Sequence, residues 1–159
     1  MPTPVDLTTP SDREIVVTRS FDAPRSLVWD CHTKPELMRR WLLGPPGWSM
    51  PVCEIDLRVG GAYRFRWSNG EGHEFGSAGE HVEIVAPERL ATTERMEGFD
   101  GASFNTLVLT EDGDRTILTM TMVFPSTEIR DAALQSGMAH GMAMSYDRIQ
   151  EIADELKVG

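Results

Sequence analysis

Two charged residues lie in strand-like segments where the alternation of side chains predicts apolar neighbours. Arg19 shares its predicted strand face with Val17, and Glu94 shares its face with Leu90 and Met96. A charge on a covered face must be paired or hydrated, because desolvation without a partner is costly. Arg19 and Glu94 could therefore orient a ligand as polar anchors or pair with charges at a cavity wall. The alternative is that a twist or a bulge turns them to solvent.

Four methionines could provide an apolar surface of adaptable shape. Met138 and Met142 begin the apolar stripe of the last helical segment, and Met120 and Met122 share one face of the last strand-like segment. Methionine suits a surface that accepts varied apolar partners, because its side chain is unbranched and flexible. The four together predict the open end of a pocket, whereas any one of them could equally belong to an ordinary core.

Aromatic residues add to this predicted surface. Trp41 and Trp48 flank a stiff loop, residues 44–47, that could form a rim or a lid. The alternative is that both rings fill the junction between helix and sheet. A third set shares one face of a strand-like segment by period-two alternation, and its members are Tyr63, Phe65 and Trp67.

The remaining chemistry-bearing residues predict neither a catalytic constellation nor a metal site. The four histidines lack the spacing of a zinc site, and no nucleophile motif, phosphate-binding loop or dinucleotide fingerprint occurs in the sequence. We therefore predict no cofactor and no metal. Cys31 and Cys53 form no C-x-x-C motif, and we expect both to be buried free thiols in a reducing cytoplasm.

The order of elements predicts an α+β fold. One strand and two short helical segments come first, and turn signals then separate a run of hairpin-linked strands. The predicted strands cover residues 14–21, 52–57, 62–68, 77–86, 89–97, 104–110 and 115–124. A long amphipathic helix, residues 128–157, closes the chain, with a kink or short break expected near Gly137. We expect a curved antiparallel sheet wrapped around this helix, with a cavity where the helix alone cannot fill the space.

Length and charge narrow the possible partners. The chain has 159 residues and a net charge of −10, which fits a single domain and argues against nucleic acid and anionic membrane surfaces. Residues 1–11 are polar and rich in proline, so we expect a flexible tail before one domain spanning residues 12–159. The sequence contains neither a signal peptide nor an apolar run of membrane-spanning length, and we expect a cytoplasmic protein.

Three stretches of the sequence resemble a known family. They are residues 19–24 with Val28-Trp29, Pro35-Glu36-Leu37 and Arg40-Trp41; then residues 59–65; then Gly137-Met138, Gly141-Met142 and residues 147–149. In this order they are similar to the activator of Hsp90 ATPase homologues, within the START/Bet v 1-like (SRPBCC) superfamily. The resemblance runs from about Arg13 to Leu156.

The resemblance implies a helix-grip fold with a cavity for hydrophobic ligands. Family members often carry tryptophan where this chain has Met142, which implies a larger or softer cavity here. The eukaryotic co-chaperones that resemble this domain have a further N-terminal domain that engages the chaperone. The resemblance makes a chaperone contact possible for this chain. The short N-terminal tail before its single domain does not support such a contact.

Three functional hypotheses follow, in this order. The first is binding of a small hydrophobic or amphipathic molecule, without catalysis, between the sheet and the last helix. The second is a cyclase-like or hydrolase-like enzyme that uses the same cavity, with Glu94 or Arg19 polarising the substrate. The third is a co-chaperone-like module that acts on the Hsp90 ATPase.

Overall fold

The structure is a computed structural model of the chain and describes residues 3–158. Met1, Pro2 and Gly159 lie outside the described residues, and so do the outer ends of the predicted tail and domain. The helices are α1 (Arg25–Thr33), α2 (Pro35–Trp41), α3 (Thr127–Gln135) and α4 (Met138–Val158). The strands are β1 (Asp6–Thr8), β2 (Glu14–Phe21), β3 (Ser49–Ile55), β4 (Ala62–Ser68), β5 (Glu74–Val85), β6 (Arg89–Met96), β7 (Ser103–Asp112) and β8 (Arg115–Val123).

Within the described range, eight strands form one antiparallel sheet in the order β1-β2-β8-β7-β6-β5-β4-β3. Strands β3 to β8 are a meander, because each pairs with the next strand along the chain. Strand β2, which precedes the meander in the sequence, pairs with β8, the last strand of the meander. The predicted α+β helix-grip fold is confirmed, with α1 and α2 after the first long strand and α4 packed on the sheet.

The alternation in β4 shows why these residues form a sheet with one covered face. Its three aromatic residues are buried, whereas Arg64 and Arg66 lie on the opposite face. Arg66 binds Glu97 at 2.6 Å on that outer face. The hydrophobic effect therefore fixes which face of β4 meets α4, because a register slip of one residue would bury the arginines.

The last helical segment is broken near Gly137, as predicted. Ser126 caps α3, since its Oγ accepts a hydrogen bond from the backbone N of Ile129 at 3.2 Å. Gly137 then adopts a φ of +82°, a left-handed conformation that glycine tolerates without strain. The chain changes direction there, and α4 begins at Met138.

The second half of α4 shares one hydrophobic core with β2 and β8. Ile15, Val17 and Leu118 are fully buried on the strands, and Ile149 and Ile152 are buried on the helix. Burying such side chains is the main source of folding free energy. This end of the sheet therefore holds α4 in place.

The predicted flexible tail differs from the structure at Asp6–Thr8. These residues form β1 at the edge of the sheet, where Leu7 pairs with Val17. The backbone N of Thr3 also donates a hydrogen bond to Asp147 on α4 at 2.8 Å. Three residues are too few to show the alternating pattern of a strand, so this strand can be recognised only by its pairing with β2.

Two further expectations concern the whole chain. Cys31 and Cys53 are both buried and free, as predicted. In the part of the chain that the structure describes, no helix is both long enough and apolar enough to cross a membrane.

Candidate ligand-binding site

A cavity of about 550 Å³ lies between the concave face of the sheet and the first half of α4. Strands β4 to β8 form its floor, α4 covers it, and the end of α2 with the following loop closes one side. The wall is predominantly apolar, because most lining residues are aromatic, aliphatic or methionine. The helix therefore does not fill the space enclosed by the sheet.

Aromatic rings in mutual contact form one wall. Tyr63 and Phe65 lie 4.9 Å apart between ring centroids, and Phe65 meets Trp67 edge-on at 5.9 Å. Phe75 on the adjacent strand β5 stacks on Trp67 at 4.9 Å and meets Trp48 at 5.5 Å. These contacts stabilise the ring orientations and give the wall a defined shape.

The loop after α2 is held in place by hydrogen bonds from both sides. Trp67 Nε1 donates to the Leu42 carbonyl at 2.7 Å, and the Gly44 amide donates to Ser145 Oγ on α4 at 3.0 Å. Trp41 Nε1 donates to the Cys31 carbonyl at 2.6 Å. The predicted rim is therefore a fixed part of the cavity wall, tied to both the sheet and the helix.

Four methionines form another part of the cavity wall. Met120 and Met122 extend from β8, Met138 and Met142 extend from α4, and all four are only half-buried. Gly141 lies between the two helical methionines in the sequence, and apart from its chain neighbours and the backbone of its own helix no atom lies within 4 Å of the position that a Cβ would take there. Flexible side chains and a missing side chain together leave this part of the interface unfilled.

Glu94 introduces a carboxyl group into this apolar surface. Its Oε1 accepts a hydrogen bond from Asn105 Nδ2 at 3.4 Å, and the partly accessible side chain faces the cavity. Burial raises the pKa of Glu94 above its ordinary value, and the nearby Asn105 and Ser77 side chains lower it by less. The protein therefore favours the neutral form of this acid more than water does.

His32 is the second polar group with a perturbed environment. Its Nδ1 donates to the Val28 carbonyl at 2.8 Å, and its ring lies 4.8 Å from that of Trp41. Burial lowers the pKa of His32 to about 4, although the bond to Val28 raises it slightly. The imidazole is therefore neutral near pH 7, and its Nε2 has no hydrogen-bond partner among the described residues.

Arg19 does not line the cavity, and the suggestion that it anchors a ligand is corrected. It faces inward, as its alternation predicts, but its Nη1 binds Asp147 Oδ1 on α4 at 2.9 Å. Its guanidinium carbon also lies 5.0 Å from the centroid of the Phe21 ring. Burial alone would raise the pKa of Asp147. Hydrogen bonds from Thr3 and Arg19, together with the Arg19 charge, outweigh burial, so the pKa lies below its ordinary value. Arg19 therefore stabilises the packing of α4 on the sheet.

The other ten predicted site residues all line the cavity, which brings together residues from five elements and a loop. They are Trp41, Trp48, Tyr63, Phe65, Trp67, Glu94, Met120, Met122, Met138 and Met142. Whether they bind a ligand stays a prediction.

Sequence reasoning missed several residues of the same wall. Asn105 shares a strand face with the buried Leu107 and Leu109, so a polar residue on an apolar face was the available signal. Phe75 precedes the predicted start of its strand, which in the structure begins at Glu74. His32, in α1, carried no such signal, since its burial depends on Trp41.

A second cavity, of about 490 Å³, adjoins the first. It lies between α3 and the loop from β6 to β7, and the two cavities share Phe75, Glu94, Met96, Met122 and Met138 as lining residues. The space around Glu94 therefore extends from the first cavity toward α3.

Among residues 3–158, no group of three or more histidine, cysteine, aspartate or glutamate side chains could hold a metal ion. The polar groups described above are instead hydrogen-bonding groups within an apolar wall. Such a wall can bind an apolar molecule and orient it at a few polar points.

The fold and this cavity define a helix-grip protein of the START/Bet v 1-like type. The family model described as "Activator of Hsp90 ATPase homolog 1-like protein" matches residues 22–154, and the chain belongs to that family. Among curated proteins, none is similar enough to this chain to match it.

Solved structures show the same fold. A crystal structure of a Rhodobacter sphaeroides protein is 28% identical with a TM-score of 0.89, covering 94% of this chain and 97% of that one. A Mycobacterium smegmatis protein is 23% identical with a TM-score of 0.84, over 96% of this chain and 99% of that one. An Arthrobacter aurescens protein is 24% identical with a TM-score of 0.83, over 96% and 93%.

Proposed function

We propose that this protein binds a small hydrophobic or amphipathic molecule in the cavity between the sheet and α4. The observation that carries the proposal is an apolar cavity of about 550 Å³, within the range of about 300–1,000 Å³ typical of small-molecule sites. The family is known for such cavities, which supports the same conclusion.

The physical basis of affinity is the burial of apolar ligand surface. Each Å² removed from water contributes about 25 cal/mol, less the cost of immobilising the ligand and the wall. The aromatic wall is already ordered by ring contacts, so little further ordering is needed there. The methionine wall can adapt to the ligand, because those side chains have several accessible rotamers.

Filling the cavity tests the proposal directly. In Met142→Trp, a larger side chain occupies space in the cavity, and we expect the affinity for a neutral apolar dye such as Nile red to fall about tenfold or more. Leu156→Trp is the matched control, because it places the same side chain at an exposed position of the same helix. Fluorescence titration of both variants measures the effect.

Native mass spectrometry of freshly purified protein complements the titration. We expect a retained small molecule on the wild-type protein and on Leu156→Trp, and its loss from Met142→Trp. Equal dye affinity in all three proteins would contradict the proposal.

A second candidate function is catalysis in the same cavity. The observation in its favour is the raised pKa of Glu94, since catalytic acids and bases commonly have such perturbed values. On this hypothesis Glu94 protonates or deprotonates a bound substrate, as in a cyclase or hydrolase. Unchanged turnover of an identified substrate by Glu94→Gln would exclude that role.

Two further parts of the proposal are independent of the cavity. We place the protein in the cytoplasm, which two buried free thiols support. Activation of the Hsp90 ATPase, after which the family is named, is the third hypothesis. It predicts faster ATP turnover by the chaperone when this protein is added.

A further inference from the structure

Two polar side chains on adjacent strands form one polar place on the floor of the cavity. Glu94 on β6 and Asn105 on β7 project from adjacent strands, and one hydrogen bond joins them. That bond uses the Asn105 amide nitrogen, and the Oδ1 of the same side chain is buried without a partner. Ser77, which influences the Glu94 carboxyl from β5, also has a buried hydroxyl without a partner.

Neither of these two buried atoms is accessible to a ligand in this conformation, so the partly accessible Glu94 carboxyl is the acceptor at this place that a ligand can reach. A carboxylate can only accept hydrogen bonds. The group that complements the Glu94 carboxylate must therefore donate hydrogen bonds.

The charges around this place have one sign. No lysine or arginine lines either cavity within the described range, whereas Glu94 belongs to both and Glu97 and Asp100 line the second. Glu97 is paired with Arg66, whose side chain lies on the outer face of the sheet. His32, the histidine that burial keeps neutral near pH 7, supplies no positive charge to the first cavity.

We propose that Glu94 and Asn105 form a subsite for the amino group of an apolar amine whose hydrocarbon part fills the cavity. The inference rests on the proposed function, because it assigns the polar end of the ligand that the cavity binds. Glu94 accepts hydrogen bonds from the amino group and balances its charge. Asn105 holds the Glu94 carboxyl in place through the hydrogen bond from its Nδ2.

The electrostatics of the subsite separate this ligand class from the other common amphiphiles. An ammonium group supplies the cation that is absent from the lining of the cavity around Glu94 in the described residues, and it offsets the desolvation that raises the pKa of Glu94. A carboxylate or a phosphate would instead lie beside Glu94 without a cation to pair with, so its desolvation would be uncompensated. A hydroxyl donates one hydrogen bond and brings no charge, so its affinity should be intermediate.

Three ligands with the same chain test the inference on the full-length protein. Decylamine, decanol and decanoate are titrated at pH 7 with tryptophan fluorescence as the readout, because Trp41, Trp48 and Trp67 line the cavity. We expect decylamine to bind about tenfold more tightly than decanol, as for a hydrogen bond to a charged group. We expect decanoate to bind most weakly.

Two variants assign this preference to the subsite. Glu94→Gln keeps the shape of the side chain, and we expect it to lose the preference for decylamine over decanol while still binding decanol. Glu80→Gln removes the same charge from an exposed position on β5, and we expect it to behave like the wild type. Asn105→Leu provides a second route, since it removes the hydrogen bond that holds the Glu94 carboxyl.

The outcomes separate the two proposals. If none of the three ligands binds, the proposed function fails. If decanol binds but decylamine binds no better, or decanoate binds as tightly as decylamine, the cavity binds apolar molecules and the amine subsite is wrong. If Glu94→Gln and Asn105→Leu both keep the wild-type preference for decylamine, the subsite is also wrong.

Discussion

The two halves of α4 pack differently on the same sheet. In the second half, Ile149 and Ile152 are buried in the hydrophobic core. In the first half, Met138 and Met142 are half-buried and face a cavity. The same helix therefore closes one end of the sheet tightly and leaves the other end hollow.

Side-chain shape explains the difference. Isoleucine is branched and has few rotamers, so it fills a fixed site well. Methionine is flexible and can leave or fill a space, and Gly141 contributes no side chain at all. Strand β8 shows the same change, since Leu118 is fully buried, whereas Met120 and Met122 line the cavity. The change in residue type on both elements thus coincides with the edge of the cavity.

The largest expected effect is a difference in stability between matched truncations. Ile149→Ala removes packed atoms, and we expect the free energy of unfolding to fall by about 3–4 kcal/mol. Met142→Ala removes atoms that face the cavity, and we expect a loss of about 1 kcal/mol. Urea denaturation of the two variants measures both. Similar losses would mean that the two ends are packed alike.

A second prediction concerns His32, at the border between the two ends. Its pKa is lowered from 6.5 to about 4, so the unfolded chain binds a proton at His32 in a pH range where the folded protein does not. The contribution of the neutral His32 to the free energy of unfolding is therefore fully present above pH 6.5, and it is lost as the pH falls toward 4. The difference is about 3 kcal/mol.

We compare the free energies of unfolding of the wild type and His32→Gln from pH 7.5 to pH 4. The difference between the two isolates the contribution of His32, because all other titratable groups are the same in both proteins. We expect the wild type to lose about 3 kcal/mol relative to His32→Gln across this range. His140→Gln, at an exposed histidine, should follow the wild type. If His32→Gln also follows it, water from the hollow end reaches the imidazole.

The smallest expected effects are at the two glycines of the hollow end. Gly141→Ala has open space for its methyl group and improves helix propensity, so we expect a gain of about 1 kcal/mol. Gly137→Ala puts a Cβ on a residue with φ of +82°, so we expect a loss of about 1–2 kcal/mol. Thermal unfolding measures both. A gain at both positions would mean that α3 and α4 are not held apart by a left-handed residue.

Much of the fold could be predicted from local patterns. The bounds of β2 and β4 agree with the structure, because β-branched runs and alternating aromatics between turn residues are strong signals. The break at Gly137 was also predictable. The edge strand Asp6–Thr8 was not, since three residues have too little periodicity and their strand conformation depends on β2.

The site could be predicted only as a surface. Alternation identifies which residues face inward, and it did so for Arg19 as well as for Glu94. Which inward residue meets the cavity depends on where α4 crosses the sheet, and that is a tertiary property. Arg19 pairs with Asp147 on α4, whereas Glu94 lines the cavity.

The most direct test of a hollow interface is a crystal structure determined under xenon pressure, because xenon enters apolar cavities without needing polar partners. We expect xenon between Phe65, Met120 and Met142, and none between Ile149 and the fully buried residues of β2. A structure in which Phe65, Met120 and Met142 touch one another, with no xenon between them, would contradict the account.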